Sequence, residues 1–383
     1  MTKRISFILL SISWIIGFVT VFQWKLHDRV GNENSPLVNN ARKVMPVATV
    51  TKQTCEPKRK IGFLKMHKCA STTVQNIFLR HAHTKDLNVI LPLGRSNYLG
   101  SPELFSLELV NGTPWHHLGY DIMALHTRWH QSTIKQALGG DPTFITTIRE
   151  PAQLFESLYG YYNLYKFHGE LTLYEFLDKL EDEDFKRKDD RFLQKIGRNQ
   201  MLFDLGFPIE DFDNEEKVKK FVDEVEQNFD LVMVTEKMEE SIVLLKHLLC
   251  WDYRDLVFLK RNSRAKNKIQ KLSVDQTNKL RRWLKADNYL YTKLREVFDK
   301  KVEKFGYKKM EEEKQKLSSV MNQIMEGCLS GEKNLQGKIL FEELKKSAGC
   351  RLYALGEHIF LDEIKKAQWK RADKVALQSL GLR

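Results

Sequence analysis

The stretch FLKMHKCASTTVQNIFLR, residues 63–80, decides how the chain is read. The apolar run from Ile61 to Met66 predicts a short buried strand, and Thr72 to His83 follows a helical period. Between them lies a turn made of His67, Lys68, Cys69, Ala70 and Ser71. A strand that passes directly into a helix presents that helix's first N–H groups and its positive dipole end at the turn, which suits an anion. Lys68 can reach a bridging or terminal phosphate oxygen while Ser71 and Thr72 donate from the first helical turn. The glycines of G-x-x-x-x-G-K-[ST] are missing, which disfavours a nucleoside triphosphatase. On the turn alone, an anion cradle and an ordinary helix start both stay open.

The alternation continues downstream. Tyr120 to Leu125, Thr143 to Ile148 and Leu231 to Thr235 read as strands, with a last short one at Leu256 to Leu259. Pro151 to Tyr162 and Met238 to Leu249 read as helices, the first with proline in its opening turn. The fold class is therefore α/β, a mainly parallel central sheet flanked by helices. In TIREPAQLFESLYGYY, residues 147–162, Arg149 closes a strand and Ser157 sits two turns along the next helix. Together they can clamp a second phosphate. Two anion sites then fall at the carboxyl ends of parallel strands, where open sheets bind ligands. Beyond Asp275 the chain is helical and highly charged, through RRWLKADNYLYTKLREVF and then KKMEEEKQKL, a pattern of solvated helix faces with no catalytic role.

The chain has 383 residues, 42% of them hydrophobic, enough for a sizeable core, and a formal net charge of +12. That charge suits an anionic partner: nucleic acid, an anionic lipid surface or a charged nucleotide. Ile5 to Trp24 is free of charge and long enough to span a bilayer, with Lys3 and Arg4 before it. We expect a signal anchor with a cytosolic tail at 1–4, a transmembrane helix at 5–24 and a stem at 25–57. A lumenal location of the remainder disfavours nucleic acid. The five cysteines show no metal-ligand spacing, so no metal site is expected. Cys328 and Cys350, both in the helical tail, are expected to pair, with Cys55 and Cys250 as alternative partners. Asn111 heads a glycosylation sequon, followed by Pro114.

KMHKCASTT resembles the 5′-phosphosulfate loop of sulfotransferases, and IREPAQLFESLYGYY resembles their 3′-phosphate motif. With FLKMHKCASTTVQNI, LHTRW, FDLGF, LLCWDYRD and CRLYAL, the chain from about Ile61 to Tyr353 is similar to the galactose-3-O-sulfotransferases. At Cys69-Ala70 and in LHTRW it departs from the commoner residues. The resemblance implies a P-loop-like sulfotransferase fold, with a catalytic domain at 58–310 and a helical C-terminal subdomain at 311–383 packed on it. It implies 3′-phosphoadenosine 5′-phosphosulfate (PAPS) as donor, with no metal. Lys65, Lys68, Cys69, Ala70, Ser71, Thr72 and Thr73 would hold the 5′ end, and Arg149 and Ser157 the 3′-phosphate. Lys68 would also neutralise charge on the leaving phosphate. His67 is the expected base, with His126 next in line, and His126, Arg128 and Trp129 are expected on the acceptor sugar. The basic loop Lys260, Arg261, Asn262, Ser263 and Arg264 is expected to close over the nucleotide. The expected function is sulfation of the 3-hydroxyl of terminal β-galactose on a galactosylceramide-like glycolipid or a glycoprotein, at the Golgi membrane. The alternatives are another carbohydrate sulfotransferase, or a non-catalytic glycan-binding protein. The oligomeric state stays open, a homodimer included.

Overall fold

The computed structural model describes residues 55–187, 191–259, 269–328 and 350–379, which belong to one compact unit, Cys55–Arg383. The expected anchor at 5–24, nearly all of the stem and the basic loop 260–264 lie outside the described residues.

Four parallel strands form one sheet in the order β2-β1-β3-β4: β1 (Ile61–Leu64), β2 (Ile122–Met123), β3 (Thr143–Ile148) and β4 (Leu231–Val234). Every residue of the four is buried, as expected of a parallel sheet covered on both faces. β1 pairs with β2 on one side and β3 on the other, so the chain diverges from the β1/β3 boundary in both directions. That divergence opens a crevice at the strands' carboxyl ends. Gly62 admits close packing there, because a Cβ would stand 2.6 Å from the Phe144 ring.

The main helices are α1 (Ser71–Thr84), α2 (Gln131–Leu138), α3 (Pro151–Tyr161), α4 (Gln200–Asp204), α5 (Glu215–Asn228), α6 (Met238–Leu249), α7 (Val274–Trp283), α8 (Lys285–Phe305), α9 (Tyr307–Cys328) and α10 (Glu357–Ser379). α1 is buried nearly all round, between the sheet and α10. Its polar residues are bonded inside. Arg80, for example, donates to Asn76 Oδ1 at 2.7 Å and to the Val257 carbonyl at 2.6 Å.

Two expected strands differ from the structure. Tyr120 to Leu125 shortens to Ile122–Met123, because the segment from Val89 to Leu104 runs beside it through single parallel bridges at Val89–Ile122, Tyr98–His126 and Leu104–Arg128. Leu256 to Leu259 is not a strand. Asp252 caps a helical turn, Tyr253–Leu256, by accepting the Arg254 N–H at 2.9 Å, and that turn takes Leu256. Disulfides join Cys55 to Cys250 and Cys328 to Cys350, with Cα–Cα separations of 5.9 and 5.7 Å. Cys69 is the remaining thiol, fully buried, and burial raises its pKa well above the ordinary range, so it is not a nucleophile.

Candidate active site

A cavity of about 400 Å³ opens at the carboxyl ends of all four strands. Each strand delivers a residue to it: Lys65, His67 and Lys68 follow β1, His126 follows β2, Arg149 follows β3 and Thr235 follows β4.

The turn after β1 is held in an uncommon backbone shape. Lys68 and Ala70 both have φ of 55°, in the left-handed region, and Ala70 is the N-cap of α1. Left-handed residues of this kind at a helix start gather backbone N–H groups toward one point, a concavity for an anion. The Ser71 hydroxyl donates to the Met66 carbonyl at 2.5 Å, so it braces the turn from within. Arg149 donates to the Lys68 carbonyl at 3.1 Å, which joins the two expected anion sites into one wall. The Lys68 ammonium stands 3.5 Å over the ring of Tyr161, at the cavity mouth. Ala70, Ser71, Thr72, Thr73 and Ser157 line the same cavity, whereas Cys69 does not and belongs to the core.

His67 lines the same cavity. Its Nδ1 lies 2.7 Å from Asp204 Oδ2, and its backbone N–H donates to the same oxygen at 2.8 Å. Asp204 is 1% exposed and ends α4. A carboxylate accepts only, so Nδ1 carries a proton, and in the neutral imidazole Nε2 presents a lone pair. The Tyr98 hydroxyl, 2.8 Å away, donates to that lone pair. Burial pushes the Tyr98 phenol up to about 12, which keeps it protonated. His126 stacks on His67 at 4.2 Å between centroids and on Tyr98 at 5.0 Å. Burial first, then Lys65 and His67, hold the His126 imidazole well below its ordinary pKa, so it is neutral.

Lys65 is 1% exposed, and its ammonium meets Glu357 Oε1 at 2.5 Å. Burial lowers the Lys65 pKa against the pull of Glu357. For Glu357, burial acts the other way but Lys65 and the Gln75 and Asn97 amides hold the carboxyl below its usual range.

Two of the expected sugar-binding residues are elsewhere. Trp129 is 4% exposed, packs edge-on against Phe144 at 5.6 Å and donates its indole N–H to Gln131 Oε1 at 2.6 Å. Arg128 donates to the Pro102 and Phe207 carbonyls, both at 2.9 Å, and so ties two loops together. Neither residue is among those that line the cavity. Asn111 is exposed at the end of a short helix, while the Thr113 hydroxyl is buried against Tyr120 at 2.7 Å.

Sequence reasoning missed Asp204, Tyr98, Asn97 and Glu357. For Asp204 a signal existed: one carboxylate inside the apolar run MLFDLGF, where burial demands a partner. It also missed the apolar end formed by Met238, Phe258 and Ile269 beside Thr235, whose buried hydroxyl has no partner among the described residues.

A profile of the family described as Galactose-3-O-sulfotransferase matches residues 2–345. Galactosylceramide sulfotransferase from Bos taurus is 31% identical over 340 residues, which cover 81% of this chain and 77% of that protein. The Homo sapiens protein of that name is 32% identical over 284 residues, covering 72% and 66%. Galactose-3-O-sulfotransferase 2 from Homo sapiens is 35% identical over 238 residues, covering 61% and 59%.

Proposed function

The chain belongs to the galactose-3-O-sulfotransferase family and is a sulfate-transferring enzyme, and from that premise we propose that PAPS is its donor and the 3-hydroxyl of a terminal β-galactoside its acceptor. One observation carries the reading: a single cavity sets a two-part cationic wall, Lys68 with Arg149, against an oriented histidine, His67 with Asp204.

The residues present fit such a donor. The Thr235 hydroxyl, without a partner among the described residues, and the apolar Met238, Phe258 and Ile269 suit a nucleoside, and Arg149 with Ser157 suits its 3′-phosphate. The α1 turn suits the 5′ end. When bound, the donor supplies a sulfuryl group joined to a phosphate leaving group. Lys68 leaves the Tyr161 face and neutralises charge on the oxygen that departs. An acceptor hydroxyl that replaces Tyr98 at Nε2 gives its proton to His67, and Asp204 stabilises the imidazolium. Neutral His126 packs on the ring and holds its plane.

The test is transfer from labelled PAPS to lactose, N-acetyllactosamine and galactosylceramide, followed by linkage analysis. The expected product carries sulfate on galactose O3, and the preferred acceptor separates glycan from glycolipid use. Label on another position, or none with a protein that binds adenosine 3′,5′-bisphosphate, would overturn the acceptor assignment.

A further inference from the structure

The cavity contains one carboxylate that the donor reading leaves unused. Glu357 is the first residue of α10, with its side chain 14% exposed at the cavity wall. A carboxylate repels phosphate, so its place in a pocket built for an anionic donor needs another reason. The family match ends at residue 345, so Glu357 and its helix lie outside what that likeness assigns.

Its two oxygens are in different situations. Oε1 takes Lys65 at 2.5 Å and the Gln75 amide at 3.0 Å. Oε2 takes the Asn97 amide at a long 3.3 Å and keeps acceptor capacity toward the cavity. Asn97 adjoins Tyr98, whose hydroxyl meets His67 Nε2 at 2.8 Å. Glu357 and His67 line the same cavity, and the Glu357 charge is felt at the Tyr98 phenol that occupies Nε2. The placement is braced. α10 grips the loop from Asp86 to Gly94 by a reciprocal pair between Gln368 and the Val89 backbone at 2.7 and 3.0 Å, and by Lys365 on the Gly94 carbonyl at 2.8 Å.

We propose that Glu357 is an acceptor-specificity residue of this site, whose Oε2 accepts a hydrogen bond from a sugar hydroxyl next to the one that receives sulfate, while Lys65 serves as its fixed counter-ion. This rests on the sulfotransfer reading above. A site that pairs a buried carboxylate with a substrate hydroxyl rejects analogues lacking that hydroxyl, because the carboxylate is left short of a partner.

The experiment is steady-state sulfation of lactose, and of lactosides deoxygenated at galactose C2 or C4, by the full chain and by Glu357→Gln. The wild type is expected to disfavour one of the two deoxy acceptors by about 10- to 100-fold, the loss of one charge-assisted hydrogen bond. Glu357→Gln is expected to raise the lactose KM by about the same factor and to lose that discrimination. Its KM for PAPS and its thermal shift with adenosine 3′,5′-bisphosphate should stay at wild-type values. Should Gln fail to fold, Glu357→Asp keeps the charge and withdraws the oxygen, and the same loss of acceptor discrimination is expected. Unchanged acceptor KM and discrimination would overturn the proposal, as would equal losses toward donor and acceptor, which would make Glu357 a counter-ion only. A wild type that transfers no sulfate to any galactoside would overturn the underlying reading instead.

Discussion

His67 and Lys68 are sequence neighbours with separate environments, which explains how one turn supplies two kinds of chemistry. The left-handed φ of 55° at Lys68 reverses the chain, so that the lysine faces Tyr161 and Arg149 while the histidine faces Asp204. Replacing either should stop turnover by different routes. Asp204→Asn removes the charge that stabilises the imidazolium, and kcat should fall by about 100- to 10,000-fold with the adenosine 3′,5′-bisphosphate thermal shift retained. Lys68→Ala should lose turnover with every acceptor, since charge on the leaving phosphate is common to all. Comparable kcat in Asp204→Asn and wild type would show that the dyad only positions the turn.

At the scale of elements, the site depends on short pieces held by buried polar caps. α4 has only five residues, yet it carries Asp204. Its N-terminus is held by Asp287 of α8, which accepts the Met201 and Leu202 N–H groups, both at 3.0 Å. Burial pushes the Asp287 carboxyl up to about 7, against those two bonds and with help from nearby Asp204. An unfolded aspartate titrates near about 4, so the folded chain holds a proton through the interval between. The stability from this group is complete below about pH 4 and is lost as pH rises through about 7. Asp287→Asn removes that dependence. Denaturant titrations at pH 5 and pH 7 should show the wild type losing about 2 kcal/mol more than the variant over that interval. Parallel losses would mean that Asp287 stays ionised throughout. Gly206, with φ of 95°, completes this region: a Cβ there would collide with the Trp129 carbonyl, whose N–H is bound to Asp204's own carbonyl at 2.8 Å.

For the whole molecule, the two disulfides bear on where the chain works. Cys55–Cys250 spans 195 residues and ties the start of the described unit to the end of α6, while Cys328–Cys350 brings the chain back from α9 toward α10. Such bonds persist in oxidising compartments. From these bonds and the apolar run from Ile5 to Trp24 we propose that residues 30–383 are lumenal, behind a signal anchor. No helix among the described residues is long and apolar enough to cross a membrane. In sealed microsomes an external protease should leave residues 30–383 intact; digestion without detergent would place them in the cytosol.

What the sequence by itself determined is what is encoded locally. β3 and α6 fall where the apolar periods place them, and the anion turn follows from a strand running into a helix. The same local signals marked Lys68 and Arg149, because residues at strand ends share one rim in any parallel sheet, and Ser157, two turns along the helix after β3, lines the same cavity. Trp129 and Arg128 lie off the cavity, which local pattern could not state because it does not say which way a side chain turns once the edge strand ends. Asp204 and Glu357 reach the site from 137 and 292 residues away from His67 and Lys65, so no spacing rule could join them. Only tertiary structure decides such pairs, because buried charges must find each other wherever packing brings their backbones close.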